Sequence, residues 1–122
     1  MTKRRALVAE DSLFILMALE MILEIQHVEI IGPASTLAET QSLAEGGGFE
    51  IAILDINLHG ELVFPVADLL LQRGIPIIFT TGYSFDEIIP RHLMSVPLIQ
   101  KPYETGALTA LIERAFAQAK RS

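Results

Sequence analysis

Residues 6–25 read ALVAEDSLFILMALEMILEI, and the order of chemistry along them sets the fold: four apolar residues, two carboxylates, a hydroxyl, then a long apolar stretch. A run such as Ala6 to Ala9, short and without polar alternation, suits a strand covered on both faces. Ser12 stands where a helix needs a side-chain acceptor for its free backbone donors. Phe14, Met17, Ala18, Met21, Ile22 and Ile25 then recur at helical spacing, which predicts a helix from about Ser12 to Ile25 with that stripe against the core. Leu16, Leu19 and Leu23 fall on its other side, where a helix facing water should be polar. Exposed leucines in such a position mark a contact surface, and Leu13, Leu16 and Leu19 are its expected members.

The same strand-then-helix unit recurs along the chain. Further strands are expected at Val28 to Ile31, Ile51 to Leu54, Ile75 to Phe79 and Pro97 to Ile99. Between them, Thr36-Leu37-Ala38-Glu39 is a capping box opening a second helix, and Gly46-Gly47-Gly48 closes it. Glu61 to Arg73 reads as a third helix stopped by Gly74. Pro90 interrupts the segment after Ser84, so the fourth helix should be short or broken. Leu108, Leu111, Ile112, Ala115 and Ala119 line the core face of the last helix. Alternation of this kind predicts an α/β fold: a flavodoxin-like, doubly wound, five-stranded parallel sheet in the order 2-1-3-4-5, with helices on both faces. Residues 1–122 are expected to form a single domain.

Composition narrows the function. The chain is 51% hydrophobic and 20% charged, enough apolar material for a core. Nine Lys and Arg against fifteen Asp and Glu give a net charge of −6, which disfavours a nucleic-acid surface built on phosphate neutralisation. Without cysteine there is no disulfide, thiolate nucleophile or Cys-based zinc site. Few apolar residues separate the basic start from Glu10, too few for a signal peptide or membrane span, so a cytoplasmic location away from membranes is expected. His27, His59 and His92 lie on separate segments without ligand spacing and are assigned no role.

In a doubly wound sheet the site lies beyond the carboxyl ends of the strands, where the strand order reverses. Glu10 and Asp11 follow the first strand, Asp55 the third, Thr80 and Thr81 the fourth, and Lys101 with Pro102 the fifth. Carboxylates gathered about 5 Å apart would repel by roughly 3 kcal/mol per pair at an effective dielectric near 20. One lysine offsets part of that, and a hard divalent cation such as Mg²⁺, taking oxygen ligands, offsets the rest. Its open positions suit phosphoryl oxygens, and Asp55 is the carboxylate placed to attack phosphorus and form an acyl phosphate.

Glu10-Asp11, Asp55, Thr81 and Lys101-Pro102, in this order and at these strand ends, resemble the receiver domain of two-component response regulators, and the resemblance covers the whole chain. It implies that Asp55 is the phosphoacceptor. Mg²⁺ would be held by Asp11, Asp55 and the backbone carbonyl of Asn57, with Glu10 contributing through water. Thr81 and Lys101 would touch the phosphoryl group, and the Lys101-Pro102 bond would be cis. Leu98 stands where the family usually carries Tyr or Phe, three positions before the lysine. Phe79-Thr80-Thr81-Gly82-Tyr83 is similar to the subclass named for a Phe-Ala-Thr-Gly-X-Tyr motif, with Thr80 for Ala and one residue absent, which makes Tyr83 the candidate replacement switch for the missing ring.

The expected function is a phosphorylation-dependent signalling switch. It would take a phosphoryl group from a histidine kinase or histidine phosphotransfer protein, docking through Leu13, Leu16 and Leu19, and would then alter binding to a downstream protein. It would catalyse only its own phosphorylation and dephosphorylation, as a monomer or weak homodimer. The alternative is a pseudo-receiver, a protein-binding module indifferent to phosphorylation.

Overall fold

The computed structural model of the chain describes residues 4–82 and 89–120. Five strands, β1 (Arg4–Ala9), β2 (Val28–Ala34), β3 (Ile51–Asp55), β6 (Ile77–Thr81) and β7 (Leu98–Gln100), form one parallel sheet in the order β2-β1-β3-β6-β7. Counting only these strands, that is the expected order 2-1-3-4-5. Two short strands, β4 (Asn57–Leu58) and β5 (Glu61–Leu62), make a separate antiparallel pair. The helices are α1 (Leu13–Ile25), α2 (Leu37–Gly46), α3 (Phe64–Gln72) and α4 (Thr105–Lys120).

Side-chain alternation along the strands divides the core into two layers. Leu7, Leu54 and Phe79 point to one face, under Ala44 of α2 and Val66, Ala67 and Leu70 of α3. Val8, Ile53 and Ile78 point to the other, under Leu19 and Leu23 of α1 and Leu108 and Ile112 of α4. Strands buried on both faces need no polar positions, which is why they read as unbroken apolar runs.

The caps behave as their sequences require. Ser12 accepts a hydrogen bond from the Ile15 backbone N–H at 3.4 Å, opening α1. Thr36 accepts from the Glu39 N–H at 3.1 Å, while Glu39 reaches back to accept from the Ser35 N–H at 3.3 Å. The hydrogen bonds from Ser35 and Thr36 hold the Glu39 carboxyl below its ordinary pKa.

Two expectations give way. The third helix begins at Phe64 rather than Glu61, because His59 and Gly60 both take positive φ, 51° and 89°, and close a two-residue hairpin that pairs Asn57 with Leu62. Pro65 then occupies the first turn of α3, where its missing N–H costs nothing. The phase of α1 is also reversed. Leu19 (1% exposed), Ile22 and Leu23 are buried and Leu16 packs against the core, whereas Phe14 (87%), Met17, Met21 and Ile25 face outward together with Leu13. Apolar residues occur all round this helix, so a 3.6-residue pattern fits two stripes, and packing against Val8, Ile53 and Ile78 selects between them. Leu16 and Leu19 are therefore core residues, not a contact surface; of the three expected members only Leu13 is exposed.

Between β6 and β7 the described residues hold a single 3₁₀ turn, Arg91–Leu93, after Pro90. Tyr83 lies outside the described residues.

Candidate functional site

Parallel strands of similar length end together, so their following residues meet at one edge. The backbone N–H of Glu10 is fixed by donation to the Ala34 carbonyl at 2.9 Å. That carbonyl is presented by an irregular end of β2, where Gly32 holds φ 108° and a Cβ would stand 2.8 Å from the Ala34 nitrogen, so only glycine fits. Asp55 is the last residue of β3 and pairs in register with Thr80 of β6. Lys101 is tied to the end of β6 by its N–H, which donates to the Thr81 carbonyl at 2.7 Å, and the Lys101-Pro102 peptide bond is cis.

These anchors converge the side chains. Lys101 Nζ donates to Asp55 Oδ2 at 2.8 Å and to both carboxylate oxygens of Glu10 at 3.3 Å. Glu10 and Asp55 are nearly inaccessible to solvent. Asp11 stands nearer the surface, its carboxylate accepting from the His59 backbone N–H at 3.0 Å. Glu10, Asp11 and Asp55 each offer an oxygen within 4.8 Å of the others. Asn57 donates its N–H to Asp55 Oδ1 at 3.2 Å, and its side-chain oxygen accepts from the Gly60 N–H. The β4–β5 hairpin thus fastens the loop after β3 to both Asp11 and Asp55.

The charges do not balance within the protein. Burial raises the Asp55 pKa to about 7, Glu10 adds repulsion, and the Lys101 ammonium recovers only part of the loss because two carboxylates share it. For Lys101, burial works against the charge but the bond to Asp55 and the fields of Asp55 and Glu10 outweigh it, raising its pKa. Burial also opposes ionisation of Asp11, yet the His59 N–H and the Asp55 side chain bring its pKa below the usual value. Three carboxylates around one ammonium leave an anionic cluster of hard oxygen donors, the set that fits Mg²⁺.

Thr80 and Thr81 are both buried at the end of β6. Thr80 shares the sheet face of Ile78, toward α1 and α4, and its hydroxyl has no partner at full hydrogen-bond geometry among the described residues. Leu98 lies in β7 opposite Phe79, partly exposed and away from the carboxylates. Two participants carry no motif. His59 supplies Asp11 with a backbone donor, and its ring nitrogen lies 3.7 Å from that carboxylate. Tyr103 places its hydroxyl 3.5 Å from Glu10 Oε1. Its position two residues beyond Lys101 was the available signal.

No family model matches the chain. Among curated proteins, the transcriptional regulatory protein PdtaR of Mycobacterium tuberculosis is 27% identical over 118 residues, covering 94% of this chain and 58% of its own length. The chain therefore spans less than three fifths of that relative. Among solved structures, SdrG of Sphingomonas melonis Fr1 is 34% identical, with a TM-score of 0.79 over 98% of this chain and 99% of that one. The response regulator PhyR of Brucella abortus is 26% identical, with a TM-score of 0.82 over 98% of this chain and 50% of its own. With its sheet order, its acidic cluster and these similarities, the chain belongs to the response regulator receiver domain family.

Proposed function

We propose that this receiver domain switches by accepting a phosphoryl group on Asp55 from a phosphohistidine of a histidine kinase or phosphotransfer protein. The observation that carries the reading is Lys101 bridging Asp55 at 2.8 Å and Glu10 at 3.3 Å inside a three-carboxylate cluster. An Asp55 oxygen forms the new bond to phosphorus as the bond from phosphorus to the donor imidazole nitrogen breaks, and that nitrogen keeps the electron pair. Lys101 neutralises charge on the phosphoryl oxygens, and the Asn57 N–H keeps the attacking carboxylate oriented. Thr81 completes the clamp. When bound at Glu10, Asp11, Asp55 and the Asn57 carbonyl, Mg²⁺ supplies the positive charge that lets a carboxylate approach an anionic phosphoryl group. Hydrolysis of the acyl phosphate resets the switch, so the domain turns over only its own modification.

Partner engagement falls to the outer face of α1. Leu13, Phe14, Met17, Met21 and Ile25 are exposed there, and the helix starts two residues after Asp11. An apolar stripe of this kind fits between the helices of a phosphodonor bundle and brings the histidine to the site. Among the described residues no helix is long and apolar enough to cross a membrane.

Intact-mass measurement with acetyl phosphate tests the reading. A gain of ~80 Da, one phosphoryl group, is expected with Mg²⁺ and not with chelator, and Asp55→Asn should abolish it. An adduct on Asp55→Asn, or none on the parent protein with Mg²⁺, would overturn it.

A further inference from the structure

Leu98 of β7 is in register with Phe79, and Asp55 with Thr80, so strand alternation sets Leu98 on the sheet face opposite Asp55. An aromatic residue touches the site instead. Tyr103 is half-buried against the α1 and α4 layer, and its hydroxyl donates to Glu10 Oε1 at 3.5 Å, a long and weak bond. The same oxygen already accepts from Lys101 at 3.3 Å, so ammonium and phenol compete for it. Beside the phenol lies the buried Thr80 hydroxyl, which favours the ionised phenol as a weak hydrogen-bonding neighbour but has no partner at full hydrogen-bond geometry. A buried hydroxyl without a well-formed hydrogen bond is unfavourable, so a small inward movement of the ring is favoured once nothing opposes it.

Resting on the reading of Asp55 as phosphoacceptor, we propose that Tyr103 senses the phosphoryl group: when Lys101 withdraws from Glu10 toward the phosphoryl oxygens, the phenol advances, shortens its bond to Glu10 and accepts one from Thr80. A phosphoryl group carries nearly twice the charge of the carboxylate it replaces, which is what draws the ammonium away. Tyr103 stands two residues before α4. Its movement therefore repositions the first turn of that helix, where Glu104 accepts from the Gly106 and Ala107 N–H groups at 3.0 and 2.7 Å.

The chain has two tyrosines and no tryptophan, so Tyr83→Phe leaves Tyr103 as the single fluorescent tyrosine. Hydrogen bonding of a tyrosine hydroxyl to a carboxylate quenches its emission. In that background, with Mg²⁺ and acetyl phosphate, emission should fall in step with the mass adduct, and amide exchange over residues 105–112 should change. Tyr103→Phe should take the adduct but lose the exchange change, as should Thr80→Val. Adduct formation with unchanged Tyr103 emission, or Tyr103→Phe keeping the exchange change, would overturn the sensor role while leaving Asp55 as acceptor. Absence of any adduct on the parent protein would instead remove the acceptor reading and the sensor with it.

Discussion

Replacing Asp55 with Asn in metal-free protein removes one charge from a cluster that cannot neutralise itself, and the effect on stability should depend on pH in a defined direction. The Asp55 carboxyl has a pKa raised from 3.8 to about 7, chiefly by burial and then by Glu10. A group whose folded pKa is raised contributes stability that is fully present below the unfolded value and is lost as pH climbs through the folded one. A shift of about three units corresponds to a ceiling of roughly 4 kcal/mol, lost between about pH 4 and pH 7. Asn cannot ionise and still offers Lys101 an acceptor, so its stability lacks this loss. Near pH 4 the two proteins should melt together. By pH 8 in chelator the Asn variant should melt higher by several degrees, with a ceiling of roughly 15 °C for a domain of this size. Saturating Mg²⁺, at about a hundred times its dissociation constant, would return about 2.7 kcal/mol to the parent protein and narrow the gap. Thermal unfolding followed by circular dichroism from pH 4 to 8 measures this. A gap that stays constant with pH, or one that widens on acidification, would refute the electrostatic reasoning.

The assigned phase of α1 predicts that Leu19→Ala costs about 2–5 kcal/mol in denaturant unfolding, while Met17→Ala costs less than about 1 kcal/mol, since Leu19 is 1% and Met17 55% exposed. Met17→Glu should slow labelling by a phosphohistidine donor while leaving labelling by acetyl phosphate unchanged; equal loss with both donors would remove the docking role of this face. Gly32→Ala should destabilise by more than about 1 kcal/mol, because a Cβ there meets the Ala34 nitrogen at 2.8 Å and φ is 108°. An unchanged unfolding midpoint would contradict the anchoring of Glu10 through β2.

Most of the architecture could be read from residue order because burial on both faces removes polar positions from the strands. The apolar runs of β1, β3 and β6 break at or within a residue of their strand ends, at Glu10, Asp55 and Thr80, which is why the residues that stop these runs also stand at the site edge. What escaped were features set by packing rather than pattern. The phase of α1 depends on which stripe the sheet accepts, and Glu20 and Glu24 lie near the boundary between the two candidates. The β4–β5 hairpin rests on His59 and Gly60 both adopting positive φ, an uncommon conformation for histidine, although Pro65 marked the true start of α3. Tyr103 reaches Glu10 across 93 positions of sequence, a contact that only the docking of the segment before α4 creates. Thr80 and Thr81 are adjacent and alike, and only strand alternation sets Thr80 on the Tyr103 side.

In the proposed function, residues from separate loops make Asp55 the nucleophile of a magnesium-dependent phosphoryl transfer. Borohydride reduction after labelling, followed by peptide mapping, tests it at residue level, because an aspartyl phosphate is converted to homoserine with a loss of about 14 Da relative to Asp. Homoserine is expected at position 55 alone, in samples labelled with Mg²⁺. Reduction at Asp11 or Glu10 instead, or at no carboxylate in the presence of Mg²⁺, would contradict it.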